Sequence, residues 1–253
     1  MRVFAISDIH VDYDANMRWV HGLSRADHRD DLLILAGDVS HRPKLLAECI
    51  DAFSRRFAQV LFVPGNHDLW VVGEPPERHS LQKFREVADI AADNGASMQA
   101  FRREGTLIQP LLGWYDFSFG KPDDSLLQMW ADFRTCRWPD GAGPEEVSAL
   151  FDDMNEAPPD DVPARVITYS HFMPRIDLVP MFVPQRHRTL DPVLGTVRLE
   201  AQLRRFTPHI HVYGHSHINR SVRLDGVHYI NNAFGYPQED GIASKRLLCI
   251  DEI

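Results

Sequence analysis

Cysteine is scarce in this chain. Cys49, Cys136 and Cys249 are odd in number and far apart, which excludes a disulfide framework and a Cys-x-x-Cys metal pair and points to a reducing, cytoplasmic setting. Long apolar runs are also missing. None approaches the ~20 residues of a membrane-spanning helix, and no apolar leader stands before the first strand-like segment, so no membrane partner is expected. Positive charge is in deficit: 27 Lys and Arg face 36 Asp and Glu, a formal charge of −9. A protein that grips long nucleic acid through its phosphates needs the opposite balance, so that partner is disfavoured. A small phosphorylated substrate remains compatible, because bound metals would offset part of the charge. Internal repeats and low-complexity segments are absent too.

What is present is the composition of an ordinary globular protein, 44% hydrophobic and 25% charged, with length enough to bury one core; a single domain over 1–253 is expected. Three short apolar runs, Val3-Phe4-Ala5-Ile6, Leu32-Leu33-Ile34-Leu35 and Val60-Leu61-Phe62-Val63, suit strands buried on both faces. The stretches between them are long enough for helical crossovers, with helical spacing over 17–23, 45–57 and 81–92. One or two strands are expected over 107–117. A helix and loop insertion follows at about 120–163, with helices over 123–133 and 144–154. Strands at 166–169, 210–213, 227–231 and 247–250 and a helix near 196–206 complete the pattern. Trp114, Tyr115, Phe117, Phe119 and Trp130 are expected mainly in the core.

Each of five strand ends runs into polar residues able to bind a metal: Asp8 and His10; Asp38; Asn66, His67 and Asp68; His171; His215 and His217. Singly, these are compatible with turn chemistry. Together they form an inventory of carboxylate, amide and imidazole donors that suits Mn, Fe, Co, Ni or Zn better than Mg or Ca, and the lack of thiolates argues against a structural zinc site. Residues two apart, as in Asp8-x-His10 and His215-x-His217, can serve one cavity. Gly37, Gly65 and Gly214 permit the close backbone approach that such loops need.

In order, Asp8-x-His10, Gly37-Asp38, Gly65-Asn66-His67-Asp68, His171 and Gly214-His215-Ser216-His217 resemble the calcineurin-like metallophosphoesterase family over roughly residues 2–234. The resemblance implies an α/β fold, a four-layer α/β/β/α sandwich with two packed mixed β-sheets. It also implies two divalent or trivalent metal ions, with Asp8, His10 and His217 on one, Asn66, His171 and His215 on the other, and Asp38 between them. The implied reaction is hydrolysis of a phosphomonoester or phosphodiester by in-line attack of a hydroxide shared by metals about 3.5–4 Å apart. His67 would protonate the leaving group and Asp68 would orient His67. His41 and Arg42 stand where many relatives carry a further acidic residue. They are candidate substrate contacts, as are Arg175, His187 and Arg220. A catalytically silent scaffold and a nuclease are the alternative readings; retention of every expected ligand argues against the first and the acidic balance against the second. Monoester versus diester and oligomeric state are left open.

Overall fold

The computed structural model describes residues 1–253. In chain order the first six strands are β1 (Arg2–Ile6), β2 (Leu32–Ala36), β3 (Gln59–Val63), β4 (Ala96–Ser97), β5 (Phe101–Arg103) and β6 (Thr106–Pro110). Then come β7 (Arg165–Tyr169), β8 (Ile210–Tyr213), β9 (Arg220–Leu224), β10 (Val227–Asn231) and β11 (Leu248–Glu252). The α-helices are α1 (Asp14–Gly22), α2 (Pro43–Ser54), α3 (Ser80–Asp93), α4 (Asp124–Met129), α5 (Asp132–Thr135), α6 (Pro144–Met154) and α7 (Val197–Arg205).

Two mixed sheets result. One has the order β11-β1-β2-β3-β4 and the other β5-β6-β7-β8-β10-β9. Strands β1 to β4 are mutually parallel, as are β6, β7, β8 and β10, while β11, β5 and β9 close the edges antiparallel. Side-chain parity builds the layers. Val3, Ala5, Leu32, Ile34, Leu61 and Val63 point between the sheets and meet Ile108, Ile167, Tyr169, Ile210, Val212 and Ile230. Their neighbours Phe4, Ile6, Leu33, Leu35 and Phe62 face outward against α1, α2 and α3. On the second sheet Leu107, Val166, Tyr213 and Tyr229 face outward against the α6 and α7 side chains Val147, Phe151, Leu199 and Leu203. This is the α/β/β/α arrangement expected from the resemblance.

Strands β4, β5 and β9 were not expected, and two expected elements end early or break. The strand over 107–117 stops at Pro110, because the chain then leaves the sheet and places Trp114 and Tyr115 in the outer helical core. The helix expected over 123–133 breaks into α4 and α5 at Trp130, whose backbone is extended. Strand β9, exposed along alternate residues, is joined to β10 through Asp225 and Gly226, both at positive φ; that geometry is the tight hairpin turn for which Asp-Gly is suited.

Candidate metal centre

The parallel strands end on one rim of the sandwich, and the loops after β1, β2, β3, β7 and β8 carry the candidate ligands. Asp8, His10, Asp38, His215 and His217 all have positive φ, between 41° and 67°. Residues with a Cβ rarely adopt that conformation, so it persists only where surrounding contacts impose it. Here the loops clamp one another: the Asp8 N–H donates to Gly37 O at 2.9 Å, His10 N–H to Asp38 O at 3.0 Å and Gly235 N–H to Asp8 O at 2.9 Å. Gly65 is required by proximity alone, since a Cβ there would collide with the Asp38 carboxylate.

The ligand atoms form two groups that share Asp38: Asp8, His10, Asp38 and His217 in one, and Asp38, His171 and His215 in the other. In the first, His10 Nε2 lies 3.1 Å from His217 Nε2, and His217 Nε2 is 3.3 Å from Asp8 Oδ1. In the second, His171 Nε2 is 3.1 Å from His215 Nδ1 and 3.2 Å from Asn66 Oδ1. Asp38 Oδ1 is 3.5 Å from His171 Nε2, and Oδ2 is 3.9 Å from His10 Nε2.

The opposite ring nitrogens decide whether these groups fit a metal. His171 Nδ1–H donates to Ala36 O at 2.9 Å and His215 Nε2–H to Val193 O at 3.0 Å. Burial, the leading cause for each, lowers both imidazoles below the usual histidine range and keeps them neutral. Two lone pairs therefore face each other across 3.1 Å, an arrangement that a cation between them relieves. Asp38 gives the complementary sign: burial, then repulsion from Asp8 and Asp68, pushes its carboxyl well above the usual range. On the other side burial lowers His217, but Asp8 and Glu239 outweigh it and raise the imidazole to about 10. Its Nδ1–H is held at 2.7 Å by Glu239 Oε2, which also accepts the Tyr236 N–H at 2.7 Å. With Nδ1 engaged, Nε2 is the ring atom a metal would take, displacing the proton that Asp8 otherwise stabilises there. The donor set fits divalent ions.

His67 Nε2 lies 3.9 Å from Asp38 Oδ2, and its ring stacks on Trp70 with centroids 3.8 Å apart. Asp68, expected to orient that ring, makes no hydrogen bond to it. Its Oδ1 accepts the N–H groups of Val39 and Ser40, and its Oδ2 those of Asp38 and Gly65, all at 2.8–2.9 Å. Four backbone donors saturate the carboxylate, so its task is to shape the loops after β2 and β3.

A cavity of about 560 Å³ opens on Asp38, Asn66, His67, His215 and His217 and is walled by Trp130, Val183, Leu194, Ile218 and Tyr236. His187 lines it. The other four substrate candidates do not. Arg175 is held by Asp177, Glu200 and Asp225, and Arg220 donates to the Asp177 and Leu178 carbonyls. His41 and Arg42 both face Asp12, at 3.8 and 3.6 Å. Sequence reasoning missed Glu239, Trp70, Tyr236 and Asp132, none of which sits in a motif; Trp130, expected mainly in the core, both packs against the outer helical core and lines the cavity. For Asp132 the available signal was that polar and aromatic residues cluster in 120–163; Trp70, Tyr236 and Glu239 lie outside that segment and carried none.

A buried donor cluster on the carboxyl ends of parallel strands, inside a two-sheet sandwich, defines a metal-binding α/β protein of the architecture expected for a metal-dependent phosphoesterase. The calcineurin-like phosphoesterase family model matches residues 1–219, and the chain belongs to that family and hydrolyses phosphate esters. It is 26% identical, over 94% of its length and 78% of the relative's, to the [acyl-carrier-protein] phosphodiesterase PptH of Mycobacterium tuberculosis. The crystal structure of that phosphopantetheinyl hydrolase shares the fold, with a TM-score of 0.80 and 24% identity over 94% of this chain and 90% of the other.

Proposed function

We propose that the chain is a dinuclear metal-dependent phosphodiesterase. Asp8, His10 and His217 would hold one ion, Asn66, His171 and His215 the other, and Asp38 would serve both. The observation that carries this reading is the placement of Asp38, whose Oδ2 faces His10 and whose Oδ1 faces His171. When bound, such ions activate water near neutral pH and offset charge on the phosphoryl oxygens. The histidine-rich donor set favours Mn, Fe, Co, Ni or Zn.

The chain's own residues supply the rest. Burial lowers the His67 imidazole well below the usual histidine range, which leaves the free ring neutral; an anionic phosphate bound beside it would oppose that shift and favour the protonated ring that donates to the leaving oxygen. The Trp70 stack holds that ring beside Asp38. The cavity wall of Trp130, Phe182, Val183, Leu190, Leu194 and Ile218 suits a long, partly apolar ester arm. With the relative named as an acyl-carrier-protein phosphodiesterase, we extend the expected small substrate to a phosphopantetheinyl-type arm carried on a protein.

The test is hydrolysis by metal-stripped protein, restored with each metal, of matched chromogenic mono- and diesters and of a phosphopantetheinylated carrier protein. Metal-restored cleavage of diester and carrier is expected. A preference for the monoester counts against the diesterase reading. Asp38→Ala should lose metal and turnover together, whereas His67→Ala should keep its metals and lose about 10²–10⁴-fold in kcat.

A further inference from the structure

Asp132 opens the short helix α5, far from every motif, yet its side chain is 2% exposed beneath the metal centre. Its Oδ1 accepts the Asn66 Nδ2–H at 2.9 Å and the Trp70 Nε1–H at 2.7 Å, and its Oδ2 accepts the Trp130 Nε1–H at 2.9 Å. Each donor abuts a different part of the site. Asn66 faces the His171 and His215 group, Trp70 carries the His67 ring, and Trp130 stands edge-on to His215 with centroids 5.9 Å apart.

An amide side chain has a donor end and an acceptor end of nearly equal shape, and only hydrogen bonding decides which end faces where. A carboxylate accepts only, so it commits the Asn66 nitrogen to Asp132 and turns Oδ1 toward His171 Nε2, 3.2 Å away. The reversed amide would aim N–H groups at the metal position and leave Asp132 against another acceptor.

We propose that Asp132 is a positioning residue that fixes the Asn66 amide with its oxygen toward the second metal, and that through Trp70 and Trp130 the same carboxylate ties the 120–163 segment to the site. The inference rests on the dinuclear reading. It adds a role for a segment outside the family's motifs.

The experiment is calorimetric titration of Mn into stripped protein, for the wild type and Asp132→Ala, each with Asn66 and with Asn66→Asp. The wild type should take up two equivalents; one equivalent overturns the dinuclear reading. Asp132→Ala should weaken one binding step about 10–100-fold, the range usual for loss of a ligand's hydrogen-bond partner, and leave the other unchanged. A carboxylate at position 66 has no donor end to misdirect, so in the Asn66→Asp background Asp132→Ala should cause no such loss. Asp132→Asn is no substitute, because its one oxygen can still accept the Asn66 and Trp70 N–H groups that meet at Oδ1. Unchanged Mn affinity in Asp132→Ala, folded by circular dichroism, overturns the proposal. So does an equal loss in both backgrounds, which marks a general structural role. If Asp132→Ala does not fold, Asp132→Leu takes its place in both backgrounds.

Discussion

Asp68 shows why a motif residue's task is read from its partners. Beside His67 in sequence, it suggests an acid-base pair, yet four backbone N–H groups claim both its oxygens. Asp68→Ala should therefore act first on stability. With several buried donors left unpaired, each worth about 1–3 kcal/mol and partly rescued by water, we expect a loss of about 3–5 kcal/mol in urea unfolding of the metal-free protein. A stable variant impaired only in turnover would restore the catalytic assignment.

His211 offers a pH test at the same scale. It is fully buried against Thr168 Oγ1 at 2.8 Å and Ser170 Oγ at 3.2 Å, and burial lowers it to about 3. Between its ordinary value near 6.5 and about 3 the unfolded chain binds a proton that the folded chain refuses. This contribution is thus complete above pH 6.5 and lost as pH falls, by up to about 1.4 kcal/mol per pH unit. Replacing His211 by Gln should remove one proton from the slope of stability between pH 6.5 and 5. Parallel wild-type and variant curves would contradict the burial argument.

At the scale of elements, the strands buried on both faces are the ones visible from sequence. β2 is apolar at all five positions because parallel neighbours flank it and a layer covers each face. Edge strands β5 and β9 lack such a pattern, being half exposed and rich in Arg. Their turns hold a local signal that the sequence reading did not use: Glu104-Gly105 and Asp225-Gly226 pair two consecutive positive φ angles. At Gly226 an added Cβ would meet no atom within 4 Å. Gly226→Ala should therefore cost about 1–2 kcal/mol through backbone strain alone, read as a lower denaturation midpoint with activity kept. A neutral result would mean that the turn relaxes. The break between α4 and α5 was not legible, because what draws Trp130 and Asp132 inward is hydrogen bonding to Asn66 and Trp70 rather than a helix-stop signal.

For the whole molecule, the first and last strands pair in one sheet, and the Met1 ammonium donates to Ile253 O at 2.6 Å. The second sheet is built from the middle of the chain, and the two share one buried interface. We propose that residues 1–253 unfold as one domain, seen as a single calorimetric transition whose van't Hoff and calorimetric enthalpies agree; two separated transitions would refute it. Metal is expected to raise that transition, because it binds only the assembled loops and relieves the repulsion among Asp8, Asp38 and Asp68. At a free metal concentration about 100-fold above Kd the gain is about 2.7 kcal/mol, or roughly 5–10 °C, and chelation should reverse it. No helix is long and apolar enough to cross a membrane.

The sequence by itself determined the class of protein, because two of its signals are local. Apolar runs of strand length mark the core strands, and the polar residues that end them name the candidate ligands, whose order carries the resemblance that implies the sandwich. What only the tertiary structure decided is how those ligands are held. Glu239 behind His217 and Asp132 behind Asn66 lie 22 and 66 residues away in the chain, and Arg175 and Arg220 find internal partners instead of substrate. Hydrogen-bond partners of this kind follow no spacing rule. They are set by which loops the closed sheets bring together, and that same closure turns a string of polar strand ends into one buried site.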